Sequence, residues 1–188
     1  LIKANAPQLV SPWPEEGGWK HGPFEPHRRW SYLVVSRHPM AWVKSLFDWE
    51  VKHGRSSASN LQAFLEVPSI DPRLADVWDA TDPFEIYARS YAEWLDSPLN
   101  TVSVRYEDLL DDLDSTINQV FGSLKIGRAP ESVDVADRAD VWQTKIDRRP
   151  LDRERSLNGW RHVVGEADLE SARARIPAPL LNQLGYTI

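Results

Sequence analysis

The sequence predicts an α/β fold built on parallel strands, and three observations carry that expectation. Residues 32–35, "YLVV", form a short apolar run with β-branched content, the pattern of a strand buried on both faces. Residues 101–106, "TVSVRY", give a second strand. Between the two lie helical patterns rather than a hairpin turn, and a chain that leaves one strand through helices makes a parallel pair with the next.

In chain order, "LIKANAP" reads as the last turn of a helix, with Pro7 as its stop and Asn5 near its exit. Residues 8–30 are rich in Pro, Gly and charge and read as loop. After the first strand, Pro39 stands where a helix accepts proline, in its first turn. Trp42, Leu46 and Trp49 then recur at helical spacing, with Val43 and Phe47 beside them, and define one apolar face. Residues 54–60 are loop. Residues 61–80 are ambiguous, with a helix near 60–66 and prolines at 68 and 72. "DPFEIYARSYAEWLDSP" at 82–98 is a helix with Asp82 as its cap, Pro83 in first position and Glu85 three residues after the cap. Its buried stripe is Ile86, Tyr87, Tyr91, Trp94 and Leu95. An acidic stretch follows the second strand and passes into a helix at about 114–124. Residues 127–158 lack periodicity and read as a long surface excursion. One or two terminal helices close the chain, interrupted by Pro177 and Pro179.

A chain of 188 residues fits one domain, residues 1–188, with a core of ordinary size. Its formal net charge of −6 gives no general electrostatic case for nucleic acid or anionic membrane. The charge is uneven. Lys145, Arg148, Arg149, Arg153, Arg155 and Arg161 outnumber Asp147, Asp152 and Glu154, so a local anion site is expected rather than a polyanion-coating surface. There is no cysteine, which removes disulfides and thiolate chemistry and fits a reducing, cytoplasmic setting. No metal-ligand spacing occurs. No apolar run approaches the roughly 20 residues of a membrane span. The chain opens at Leu1 and its one methionine is Met40, so the expectation is that the domain is incomplete at its N-terminus.

The stretch "SRHPMAWVKS" places an arginine at the end of a strand just before a helix. Ligands of open α/β sheets bind at such strand ends, and an arginine fork beside a helix N-terminus suits a phosphate. Arg37 and Ser45 are therefore candidate anion ligands. The plainer reading gives Arg37 a neighbouring carboxylate and leaves Ser45 an ordinary helix serine. Arg105, Tyr106, Glu107 and Asp108 stand at the end of the second strand, where they act either at the same edge or as a rim aromatic and helix caps. "RSLNGWRH" at 155–162 offers Arg155, Gly159, Trp160 and Arg161, either as a loop that folds over a phosphate or as a solvated basic segment.

Together these segments resemble the sulfotransferases. "RHPMAWVKS" is similar to the R-x-P-x5-S element, whose Arg and Ser hold the 3′-phosphate of 3′-phosphoadenosine 5′-phosphosulfate; "RYEDLL" resembles the second landmark, whose Tyr lies by the adenine; "RSLNGWRHVV" is similar to the C-terminal R-x-G-x-x-G-x-W-[KR] element. All three occur in the family's order over about residues 20–188. The third departs from pattern: Arg153 holds the usual arginine position while Arg155 stands where glycine is expected, so either is the phosphate ligand, with Arg155 preferred. The resemblance implies a three-layer fold, a parallel sheet of the P-loop nucleotide-binding type with helices on both faces. It implies Arg37, Ser45, Tyr106, Arg153, Arg155, Gly159 and Trp160 as cofactor-binding residues and no metal.

It also implies a base to take the proton of the attacking acceptor. "WKHGPF" matches the H-x-P part of the family's base segment, which makes His21 the base and Lys20 a stabiliser of the bridging oxygen. His27, His38, His53 and His162 compete poorly. The family's glycine-rich phosphosulfate loop has no counterpart, since the glycines of "EEGGWK" have acidic neighbours. It is expected upstream of Leu1, and the chain without it is expected to be inactive. The implied activity is sulfuryl transfer to a hydroxyl or amine on a small-molecule or carbohydrate acceptor, with a homo-oligomer left open. The alternatives are a P-loop kinase, or a non-catalytic nucleotide-binding or interaction module of the same fold. Residues 54–80 and 127–150 are the expected acceptor side. Trp13, Trp19, Trp78 and Trp142 either stack on an acceptor ring or sit in the core, the core being favoured.

Overall fold

A computed structural model of the chain describes residues 31–96, 100–125 and 153–188. Lys20 and His21 lie outside the described residues, as do Trp13, Trp19 and Trp142. Most of what is described is helical, with one small parallel sheet, an arrangement compatible with an α/β fold. Strand β1 (Ser31–Ser36) pairs in parallel with β2 (Asn100–Arg105), in register from Ser31 opposite Asn100 to Ser36 opposite Arg105. Helices α1 (Pro39–Lys52), α2 (Leu61–Glu66), α3 (Pro72–Trp78) and α4 (Pro83–Leu95) form the crossover between them. After β2 come α5 (Tyr106–Asp111), α6 (Leu113–Ser123), α7 (Arg153–Asn158), a 3-10 turn (Gly159–His162), α8 (Glu166–Arg175) and α9 (Ala178–Leu184).

The core is mainly helical. Met40, Val43, Phe64, Phe84, Tyr87, Ala172, Ile176 and Leu184 all lie in one buried cluster, drawn from α1, α2, α4, α8 and α9. Such packing follows from amphipathic helices too short to be stable alone, which gain their stability by burying one face together. A second small cluster joins Trp78 to Ala80 and Ile86, so Trp78 is a core residue and not an acceptor platform. The sheet is less enclosed than its sequence suggests. Val34 is 7% exposed but Val35 is 41% exposed, so the expectation of burial on both faces of β1 fails.

Local chemistry explains the element ends. Asp82 accepts hydrogen bonds from Phe84 N and Glu85 N, and Pro83 fills the first position of α4. Glu85 does not reach back to the cap; it pairs with Arg89. Asn60 caps α2 by accepting from Ala63 N. Pro72 opens α3, which resolves the ambiguity of that region as a helix. The acidic stretch after β2 is two helices, not an approach to one: Asp112 leaves helical geometry at φ −149 and caps α6 by accepting from Ser115 N. Residues 153–158, expected in a surface excursion, are helical. Trp49, expected on the buried face of α1, is 54% exposed and meets the His53 ring at a tilt of 37°. Among the described residues no helix is long and apolar enough to cross a membrane.

Candidate functional site

The register of the sheet builds the site. Ser36 and Arg105 are the last paired residues, so Arg37 and Tyr106 leave the two strands side by side. The Arg37 guanidinium lies 5.1 Å from the centre of the Tyr106 ring. Its Nη2 donates to the Ser156 carbonyl at 2.9 Å. Its Nε is buried and has no hydrogen-bond partner among the described residues. One arginine thus draws together the ends of both strands and the α7 segment.

Helix α4 holds the end of β1 in place. Tyr87 donates its hydroxyl to the Arg37 carbonyl at 2.8 Å, and Tyr91 donates to the Val35 carbonyl at 3.2 Å. Burial raises the hydroxyl pKa of both above the usual tyrosine value, so they stay protonated donors.

The N-terminus of α1 is not free for an outside anion in the way the sequence suggests. His38 is its cap: Met40 N donates to His38 Nδ1 at 3.3 Å. Glu107 Oε1 accepts the His38 backbone N–H at 3.0 Å, so a carboxylate of the chain itself already stands there. Glu107 Oε2 accepts the Tyr186 hydroxyl at 2.6 Å. Ser36, fully buried, lies 3.4 Å from that hydroxyl and donates to the Val104 carbonyl at 3.3 Å. Burial, with the bond to Glu107, raises the Tyr186 pKa.

The His38 ring is held on every side. It stacks on Trp160 at 4.3 Å between centres and 14° between planes, and meets Tyr186 edge-on at 5.6 Å. Its Nε2–H donates to the Thr187 carbonyl at 3.3 Å. With Nδ1 accepting and Nε2 donating, the ring is the neutral Nε2–H tautomer. Burial lowers its pKa, the Thr187 bond and Glu107 oppose that, and Arg161 adds to it. Arg161 lies over the other neighbour, 4.9 Å from the Trp160 ring centre.

Of the predicted residues, Arg37, Tyr106 and Trp160 share this strand-end cluster. Gly159 opens the 3-10 turn that carries Trp160. Arg153 and Arg155 are on α7, and their side chains lie outside what the structure describes. Ser45 is exposed on α1, and no hydrogen bond joins it to Arg37 among the described residues. Arg105 is engaged elsewhere: it forks onto Asp108, which raises its pKa, and donates to the Gly185 carbonyl at 3.2 Å. His38 and Tyr186 were missed. His38 reads in sequence as a residue flanking a strand, and only Gly185 announces the turn that sends Tyr186 back. That glycine ends α9 at φ 74, a left-handed conformation that suits it.

No protein-family model matches the chain, and no curated protein matches it. Among solved structures it is similar to a sulfotransferase domain from the curacin biosynthetic pathway, at 16% sequence identity and a TM-score of 0.46, over 84% of this chain and 54% of that one. The chain thus spans about half the length of that structure. A likeness this distant decides neither fold nor activity.

Proposed function

We propose that the chain is a sulfotransferase of the three-layer P-loop type that binds 3′-phosphoadenosine 5′-phosphosulfate. The observation that supports this best is the convergence on Arg37. The three segments that resemble the family's nucleotide landmarks are remote in sequence, yet Arg37 touches Tyr106 at 5.1 Å and Ser156 at 2.9 Å. Its Nε has no hydrogen-bond partner among the described residues and would gain an acceptor where a ligand displaces the groups that cover it.

In this reading Arg37 holds the 3′-phosphate, Tyr106 lies against the adenine, and Arg155 or Arg153 with Gly159 completes the phosphate contacts. Ser45, exposed on α1, is assigned to the same phosphate as Arg37. When bound, the donor would supply a sulfuryl group that leaves its phosphate oxygen for the acceptor oxygen or nitrogen. His21 takes the acceptor proton, with Lys20 at the bridging oxygen. Positioning and electrostatics carry the rest, as they do in phosphoryl transfer.

Calorimetric titration tests this. Wild type is expected to bind 3′-phosphoadenosine 5′-phosphate more tightly than adenosine 5′-monophosphate. Arg37→Ala is expected to lose at least about tenfold in affinity for the bisphosphate, and most of that preference. Equal affinity for the two nucleotides in the wild type, or an Arg37→Ala chain that still discriminates between them, overturns the reading.

A further inference from the structure

We infer that His38 is a positioning residue for this nucleotide site, the ring against which the segment from Arg153 to His162 is set. The inference rests on the proposed reading for the ligand but on geometry for the role. Two adjacent residues grip that segment at two points. Arg37 Nη2 takes the Ser156 carbonyl at 2.9 Å, and the His38 ring stacks on Trp160 at 4.3 Å. The first grip is made by the group that would bind phosphate. A phosphate oxygen is a stronger acceptor for a guanidinium than a neutral carbonyl, so a bound nucleotide competes for Nη2. The second grip has no such competitor. It keeps the segment beside Arg37 when the Ser156 bond is given up.

The ring is built for that task. Three places in the chain hold it: Met40 N at Nδ1, the tail through the Thr187 carbonyl at Nε2 and the Tyr186 ring at its edge, and Glu107 at the His38 backbone N–H. A side chain with both nitrogens satisfied and its backbone tied cannot turn without breaking several contacts, so Trp160 meets a rigid face. Trp160 is 8% exposed, and the Arg161 guanidinium lies 4.9 Å from its ring centre.

Two variants separate the ring from the cap. His38→Asn keeps a good helix-capping acceptor and removes the ring. His38→Phe keeps a ring and removes both nitrogens. Hydrogen exchange of the amides at 156–162 is measured on each, together with calorimetric affinity for 3′-phosphoadenosine 5′-phosphate. His38→Asn is expected to speed exchange there by about tenfold and weaken the nucleotide by about tenfold, the value of one aromatic stack. His38→Phe is expected to fall between wild type and His38→Asn in both, because it keeps the stacking face but loses the bonds at Met40 N and the Thr187 carbonyl that hold it. Unchanged exchange in His38→Asn, or His38→Phe as impaired as His38→Asn, overturns the inference. If the variants do not fold, wild type decides. Its His38 ring nitrogens should show the Nε2–H tautomer and shift when the nucleotide saturates, and silent resonances at saturation overturn the role. A wild type that binds no nucleotide refutes the sulfotransferase reading instead, and exchange at 156–162 still decides whether His38 sets the segment.

Discussion

Glu50 shows how one residue can fix a region whose sequence has no clear pattern. Its carboxylate is 1% exposed; it accepts Arg55 Nε at 2.5 Å and Asp71 N at 3.3 Å, and Arg55 lies 3.7 Å from Asp71. A buried charge persists only when paired and hydrogen-bonded, so this network ties the end of α1 to the start of α3. Glu50→Ala is expected to cost about 3 kcal/mol in urea unfolding, since it strands Arg55 beside a cavity. A loss below about 1 kcal/mol would mean that water replaces the carboxylate at no great cost. Nothing in the sequence singles out Glu50, which sits between Trp49 and Val51 and reads as a surface residue. Arg37 is the contrasting case: a strand-ending arginine before a proline was legible as a ligand candidate, while its bond to Ser156 was not.

At the scale of elements, the start of α4 was legible: Asp82 and Pro83 set it, because a cap is a local property. Of its expected buried stripe, Ile86 and Tyr87 are buried while Tyr91, Trp94 and Leu95 are half-buried, and the buried Phe84 lay outside that stripe. Its cap has a second use, since Arg175 Nη1 on α8 donates to Asp82 Oδ2 at 2.7 Å. Asp82→Ala is expected to lower stability by about 1–2 kcal/mol, and Asp82→Asn by less than half of that, because asparagine keeps the cap and loses only the exposed ion pair. Thermal melts of the two variants decide it, and an Ala variant that melts with wild type would remove the cap's role. Other elements were not legible. The helix over Tyr106–Asp111 and the break at Asp112 hide in an acidic stretch that reads as an approach to a single helix at about 114–124, and the exposure of Trp49 is not marked by the helical spacing.

For the whole molecule, the tail and both strand ends meet at His38, and that makes the fold sensitive to pH. The folded chain lowers the His38 pKa below its usual 6.5, so folding favours the neutral ring. Its contribution is present above pH 6.5 and is lost as pH falls through the folded value. Glu107, Arg161 and Tyr186 face the ring, and of these Glu107 opposes the shift while Arg161 favours it. The stability of wild type relative to His38→Phe should therefore shrink as pH falls from about 7.5 to 5.5, with a slope of at most about 1.4 kcal/mol per pH unit. A difference that stays flat across that range would show that the ring titrates alike folded and unfolded.

The sequence by itself determined the two strands, the parallel connection between them, the cap of α4 and three motif segments in a fixed order, because each depends on residues close together in the chain. Only the tertiary structure decided that these segments meet at Arg37, that Glu107 and His38 occupy the start of α1, and that Trp160 rests on a histidine. Those contacts join residues far apart in the chain, and no local pattern encodes a partner brought in by the packing of other helices.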